Sequence, residues 1–217
     1  VFHQLVGGIN SNLYAQRFDV DGNSVWANRV QLSDKTTAYN AIYDGTQDED
    51  VVYFGYFAKT GTRMDSFLQR INIDGTIPWG INGADFDTNV TNYEKDTKIA
   101  YSPGSNYIWA VCNYTDPSQN NNGEYVQKFD KVSGARQLTE TAKELFAIGS
   151  SKVHAGNLQL VNDQPLFLIE EGVNNGAAPT TLNTCYLDAN GDFVWTEEIK
   201  SIATFSASKN RIQFNKP

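Results

Sequence analysis

The sequence predicts an all-β fold, a β-propeller of four-stranded antiparallel blades in about four repeats, and three observations lead there. The stretch Leu13-Tyr14-Ala15-Gln16-Arg17-Phe18-Asp19-Val20-Asp21-Gly22-Asn23-Ser24-Val25-Trp26 returns as residues 67–79 and 182–195, and in degraded form as Tyr125 to Asp130 followed by Ser133-Gly134. The tryptophans keep register, since Trp26 to Trp79 is 53 residues and Trp79 to Trp195 is 116, twice 58. Each copy is joined to the next by a further pair of apolar runs, which gives an A–B hairpin followed by a C–D hairpin in every repeat of about 50 residues.

Each copy reads as a hairpin: alternating apolar residues up to an Asp or Asn, a tight turn ending in Gly, and a second strand carrying the Trp. Glycine suits that turn because a positive φ penalises a Cβ, and the preceding Asp or Asn tolerates the same region. The Trp four residues after Gly supplies apolar area for a neighbouring unit.

In chain order, 1–8 is an apolar strand leading through Asn10-Ser11-Asn12 into the first hairpin. A strand at Ala41-Ile42-Tyr43 and a turn over 44–50 precede Val51 to Phe57, whose unbroken apolar character marks a strand covered on both faces. The second unit runs from its hairpin through Asn82-Gly83 to strand 98–101, the turn 102–106 and the buried strand 107–112. A polar tip, Asp116 to Gly123, feeds the third hairpin, where Leu138 to Phe146 stands in place of Trp and suits a short helical turn. Strands at 158–161 and 165–169, a loop from Gly172 to Thr181 and the fourth hairpin follow, leaving Ala203 to Ala207 and Arg211 to Phe214 as A-like segments.

The repeats are set at 1–39, 40–96, 97–151 and 152–217, forming a single propeller domain. Because the chain opens on a B strand, the terminal pieces are expected to share one composite blade. Closure as a four-bladed ring and a segment of a longer propeller both remain open.

Composition narrows the function classes. A net charge of −8 and a pI near 4.7 argue against nucleic acid and against anionic lipid. No window approaches eighteen consecutive apolar residues, so no membrane insertion is expected. Val1-Phe2-His3-Gln4 lacks a signal-peptide profile, and a chain starting without Met reads as processed or excised. Cys112 and Cys185 fall inside predicted strands and are expected as separate buried small hydrophobes.

The pattern Ala15, Asp19, Gly22, Trp26 resembles the tryptophan-docking repeat of quinoprotein-type propellers, in which the Trp of one blade packs on the next. The full stretch is also similar to blades in large secreted and surface proteins, including those of gliding bacteria. The resemblance covers all four repeats on about five positions each and implies Trp26, Trp79 and Trp195 docking between blades. Quinoprotein dehydrogenases hold their quinone with a calcium site, a Trp floor and usually a vicinal disulfide, in a ring that is typically eight-bladed. Here there is no adjacent Cys pair, and the expectation is no cofactor.

No constellation points to catalysis or a metal. Asp19-x-Asp21-Gly22-Asn23 starts like a calcium loop but lacks the later bidentate Glu, and reads as a plain turn. Asp48-Glu49-Asp50, with Asp44, reads as a solvated loop guarding an edge. His3 and His154 are isolated, with His154 at a strand start. Gln16, Gln69 and Gln127 share one repeat position, either as structural equivalents or as amides facing a channel or a sugar. Asn89-Val90-Thr91 and Asn113-Tyr114-Thr115 fit the glycosylation pattern, with Asn113 expected near a strand end. The expectation is therefore a non-catalytic, secreted or cell-surface module that binds protein or glycan through loops 44–50, 116–123 and 172–181 at one rim, helped by Tyr43, Tyr107 and Tyr114, or on strand-end packing alone if those rings belong to the core. Alternatives are a structural subunit of a large surface or filament assembly, and a hydrolase or quinoprotein-like enzyme.

Overall fold

Alternating strands and Gly turns produce four antiparallel meanders. The computed structural model describes residues 1–7, 10–37, 44–149, 152–172 and 180–205. The first sheet has three strands, β1 (Phe2–Gly7), β2 (Asn10–Ala15) and β3 (Val30–Gln31). The second has four: β4 (Asp44–Asp48), β5 (Val51–Thr60), β6 (Arg63–Asn72) and β7 (Ala84–Asp85). The third comprises β8 (Tyr93–Tyr101), β9 (Tyr107–Thr115), β10 (Asn122–Asp130) and β11 (Lys143–Gly149). The fourth comprises β12 (Lys152–Val161), β13 (Gln164–Gly172), β14 (Thr181–Tyr186) and β15 (Lys200–Thr204). Every pairing is between sequence neighbours, no helix occurs among the described residues, and the sheets are not closed into a ring.

The repeated motif builds the same local structure each time. The Asp of the turn accepts backbone N–H groups: Asp19 Oδ1 from Asp21 and Asn23, Asp130 Oδ1 from Val132 and Ser133, Asp188 Oδ1 from Asn190 and Asp192. Gly22, Gly75, Gly134 and Gly191 then sit at φ of 83°, 88°, 74° and 83°, the left-handed region closed to most side chains. The Trp does not lie on a second ladder strand, as its hairpin pattern predicts. It lies on an irregular return that regains ladder pairing at β3, β7 and β15, the first two each two residues long.

The repeated glutamine holds that return. Gln16 Nε2 donates to Trp26 O, Gln69 Nε2 to Gly80 O and Gln127 Nε2 to Thr139 O, while each Oε1 accepts the next residue's N–H. Of its two readings, structural equivalence is therefore the one observed. Gln69 and Gln127 are fully buried, so each amide replaces ladder bonds the return cannot make.

The core lies between sheets. Leu13, Ala15 and Leu32 of the first meander pack on Phe54, Tyr56, Phe67 and Ile71; Tyr53, Leu68 and Phe86 pack on Ile99, Ile108 and Phe129; Trp109, Val126 and Leu145 pack on Leu158, Phe167, Ile169 and Leu187. In β5 the run from Tyr53 to Tyr56 is buried, as expected of a doubly covered strand. Gly55 is needed there because a Cβ would stand 2.8 Å from Thr97 Cγ2 on the next blade. Cys112 and Cys185 are free, buried and in different core clusters.

Several boundaries differ from the sequence pattern. Residues 44–48 are strand β4, not a loop, with Asp44 Oδ2 accepting the Ile99 N–H of the next sheet, and only Glu49 and Asp50 turn. The stretch after Leu138 forms a turn, closed by Ala142 N–H to Thr139 O with Ala142 at φ 58°, and then strand β11 instead of a helical turn. β8 begins at Tyr93, and Ala203 and Thr204 complete β15 on the fourth sheet. Residues 41–43 and 211–214 lie outside the described residues.

Replacing Gln127 by Leu leaves the Thr139 carbonyl and two backbone N–H groups without their partner. We expect a loss of about 1–3 kcal/mol in urea-unfolding free energy, whereas Asn120→Ala on an exposed turn should stay within about 0.5 kcal/mol of the parent. Gly55→Val should be worse than either, because the clash falls on a packed junction between sheets.

Candidate functional site

In a meander, successive turns alternate between the two ends of the sheet. The β4–β5, β8–β9 and β12–β13 turns therefore share one rim with the four Asp–Gly turns, as the pairs Val51↔Asn72 and Tyr107↔Asp130 show. The β9–β10 tip and the flanking pair Glu171↔Thr181 lie at the opposite rim. The segments 44–50, 116–123 and 172–181 thus do not form one continuous rim, and residues 173–179 lie outside the described residues.

The tyrosines separate in the same way. Tyr107 opens β9 on the Asp–Gly rim, in an open cleft of about 700 Å³ between the third and fourth sheets, lined also by Lys128, Gln137, Lys143, Asn190 and Asp192. Lys128 Nζ stands 4.1 Å from the Tyr107 ring centroid and donates to Ala189 O across the junction, and Lys143 Nζ bonds Asp192 Oδ1 at 3.0 Å. The Tyr107 hydroxyl and the Asn190 side-chain amide have no hydrogen-bond partner among the described residues. Tyr114, by contrast, is 1% exposed, stacks on Tyr125 at 3.9 Å and donates its hydroxyl to Asp87. Tyr43 lies outside the described residues.

The sequence pattern gave no sign of a buried carboxylate cluster where the second and third sheets meet. Asp65 lies on β6, Asp87 just after β7, Glu94 on β8 and Glu124 on β10, all at most 3% exposed. Asp65 is held by Arg63 through two bonds of 2.5 and 3.0 Å; Glu94 accepts the Ser66 N–H and is hydrogen-bonded to Asp87, which also takes the Asn89 N–H and the Tyr114 hydroxyl. Burial, then the Asp87 charge, pushes the Glu94 carboxyl up to about 10 from its ordinary 4.5. Burial likewise pushes the Tyr114 hydroxyl and the Cys112 thiol well up. A neutral carboxyl donating to a carboxylate resembles a general acid in chemistry, but this one is 1% exposed.

The remaining candidates lie away from the cleft. His3 Nδ1 lies 2.8 Å from Thr37 Oγ1, and burial lowers its pKa. His154 is the third residue of β12 and pairs with Glu170. Asn113, expected at an accessible strand end, lies inside β9, is 6% exposed and donates to Gly123 O, while Asn89 caps the N–H groups of Thr91 and Asn92. Lys128 went unrecognised in the sequence, although its signal was present: Arg17, Arg70 and Lys128 all follow the repeated glutamine.

No family model matches the chain, and comparison with curated proteins and with solved structures returns no match.

The Glu94–Asp87 pair makes stability depend on pH. The folded state keeps a proton that the unfolded chain gives up above its ordinary 4.5, so unfolding releases that proton between about 4.5 and 10 and stability falls as pH rises through this window. Asp19, Asp74 and Asp130 are held below the ordinary carboxylate range by turn hydrogen bonds and act oppositely, their contribution being lost as pH falls. Chemical denaturation from pH 5 to 9 should show a declining stability, with a slope of at most about 1.4 kcal/mol per pH unit from this one proton, and Glu94→Gln should flatten it. An unchanged slope in that variant excludes Glu94 as the source.

Proposed function

We propose that this chain is a non-catalytic binding and scaffold module, secreted or at a cell surface, that holds a protein or glycan partner at the Asp–Gly rim in the cleft between the third and fourth sheets. One observation carries the reading. Tyr107 presents an aromatic ring with an unengaged hydroxyl beside the unengaged Asn190 amide, in an open polar cleft braced by Lys128 and Lys143. An aromatic surface with hydrogen-bonding groups at its edge suits sugar rings and protein side chains alike. The non-catalytic part is supported by the sealed carboxylates, since a buried acid bonded to its neighbour has no route to a substrate. The finer kinship to quinoprotein-like and gliding-protein blades is supported by the docking of Trp26 and Trp79. It implies no quinone here, and adhesion is the role it suggests.

The test is a glycan array and a surface-protein pull-down with the parent, Tyr107→Ala and Asn190→Ala. We expect a partner whose retention drops roughly tenfold in each variant, the loss of one well-placed contact, with unfolding midpoints unchanged. Equal retention by both variants refutes the cleft, and turnover of a glycan panel refutes the non-catalytic reading.

A further inference from the structure

The junctions between sheets are three copies of one joint. At the first, Trp26 Nε1 and Arg17 Nη1 both donate to Ile73 O, at 3.0 and 3.3 Å, and the position of a Cβ on Gly75 lies 3.1 Å from the Trp26 ring. At the second, Trp79 Nε1 donates to Val132 O at 3.1 Å, Arg70 Nη1 to Lys131 O at 2.8 Å, and Gly134 lies 2.9 Å under the Trp79 ring by the same measure. At the third, Lys128 Nζ donates to Ala189 O at 2.8 Å, and Leu138 fills the indole's place 3.0 Å from Gly191.

Three joints between four meanders leave one turn and one tryptophan over. The first turn is preformed, with Asp19 bonded as Asp188 is and Gly22 at the common φ, yet a Cβ on Gly22 would meet nothing within 4 Å. Phe18 is 59% exposed, although its repeat counterparts Ile71, Phe129 and Leu187 are 4%, 0% and 0% exposed beneath the preceding meander. Val20 is fully exposed as well. At the other end Trp195 rests on Tyr186 at 5.9 Å under Lys200 Nζ, and its Nε1 has no acceptor among the described residues. Among the described residues, no Trp-bearing surface covers the first turn and no turn covers Trp195.

We propose that these two ends dock with each other between copies of this chain, the turn from Phe18 to Gly22 of one copy seating on Trp195 of the next. The occupant is argued from fit: the chain carries one spare turn of the pattern already seated three times, and one spare indole of the kind that already receives it twice. The contact uses different surfaces on the two copies, so it is head to tail and either closes into a ring of blades or continues as a chain. It does not depend on the Tyr107 cleft.

Sedimentation velocity over a concentration series, with Phe18→Asp and Trp195→Ala, tests this. Phe18 is exposed in the single chain, so its replacement should leave circular dichroism and unfolding unchanged. The parent should associate in a concentration-dependent way, and each variant alone should associate at least roughly tenfold more weakly, as expected when a central interface anchor is removed. An equimolar mixture of the two should form a one-to-one species that does not grow, because Phe18→Asp keeps a sound Trp195 and Trp195→Ala keeps a sound turn. A parent that stays monomeric at every concentration, variants that associate like the parent, or a mixture that forms no pair would each overturn the proposal. Monomeric parent with a shielded Trp195 fluorescence would mean that the chain covers its own end.

Discussion

A single meander of this kind cannot bury either face of itself, and the contact that lets it stack is a glycine turn lying flat against the next indole. The geometry is narrow. The turn must present a backbone carbonyl to the indole N–H while leaving no Cβ between them, and at Gly134 a Cβ would stand 2.9 Å from the Trp79 ring. Only a residue that accepts positive φ and has no side chain meets both demands. The apolar clusters between sheets follow from that docking, since Ile71, Phe129 and Leu187 leave their turns buried only because a preceding sheet lies over them.

The third junction shows which part of the joint is dispensable. Leu138 takes the place of Trp and still packs on Gly191, giving up the indole hydrogen bond. The basic side chain persists, however, and Lys128 reaches Ala189 O as Arg17 and Arg70 reach their own turns. Apolar cover and a cation on the turn carbonyl are thus the common denominator, with the indole adding a directed bond where present. This explains how the repeat tolerates loss of its most recognisable residue without losing the blade.

The sequence was legible where a requirement is local. Asp, Gly and Trp spacing located all four turns, and the unbroken apolar run at Val51 to Phe57 marked a doubly covered strand. It was silent where the cause is tertiary. β3 and β7 are two residues long because Gln16 and Gln69 side chains hold most of the return, a role that no alternation pattern encodes. Residues 44–48 look like a polar loop, yet pair as β4 because Asp44 binds the Ile99 N–H of the next sheet. Tyr107 and Tyr114 are seven residues apart on one strand, so they differ in both end and face: Tyr107 lines the open cleft toward the fourth sheet, and Tyr114 is buried against the second.

The junctions are alike on the Asp–Gly rim and unlike elsewhere, and the difference has a physical consequence. To its apolar cluster the first junction adds the bonds of Gln69 Nε2 to Leu32 O and of Ser33 Oγ to Asn82 Oδ1, and the third adds the bonds of Lys128 to Ala189 O and of Lys143 to Asp192 Oδ1. The second carries Asp65, Asp87, Glu94 and Tyr114 in addition, each bonded to a particular partner across or beside the junction. A shift of register there would strand buried carboxyl groups without their donors, a larger penalty than losing apolar contact of the same extent. Apolar faces and Gly turns bring the sheets together in all three places, and at the second a buried carboxyl network adds its own constraint on alignment. The middle of the array is therefore where a change of register would strand the most buried carboxyl groups.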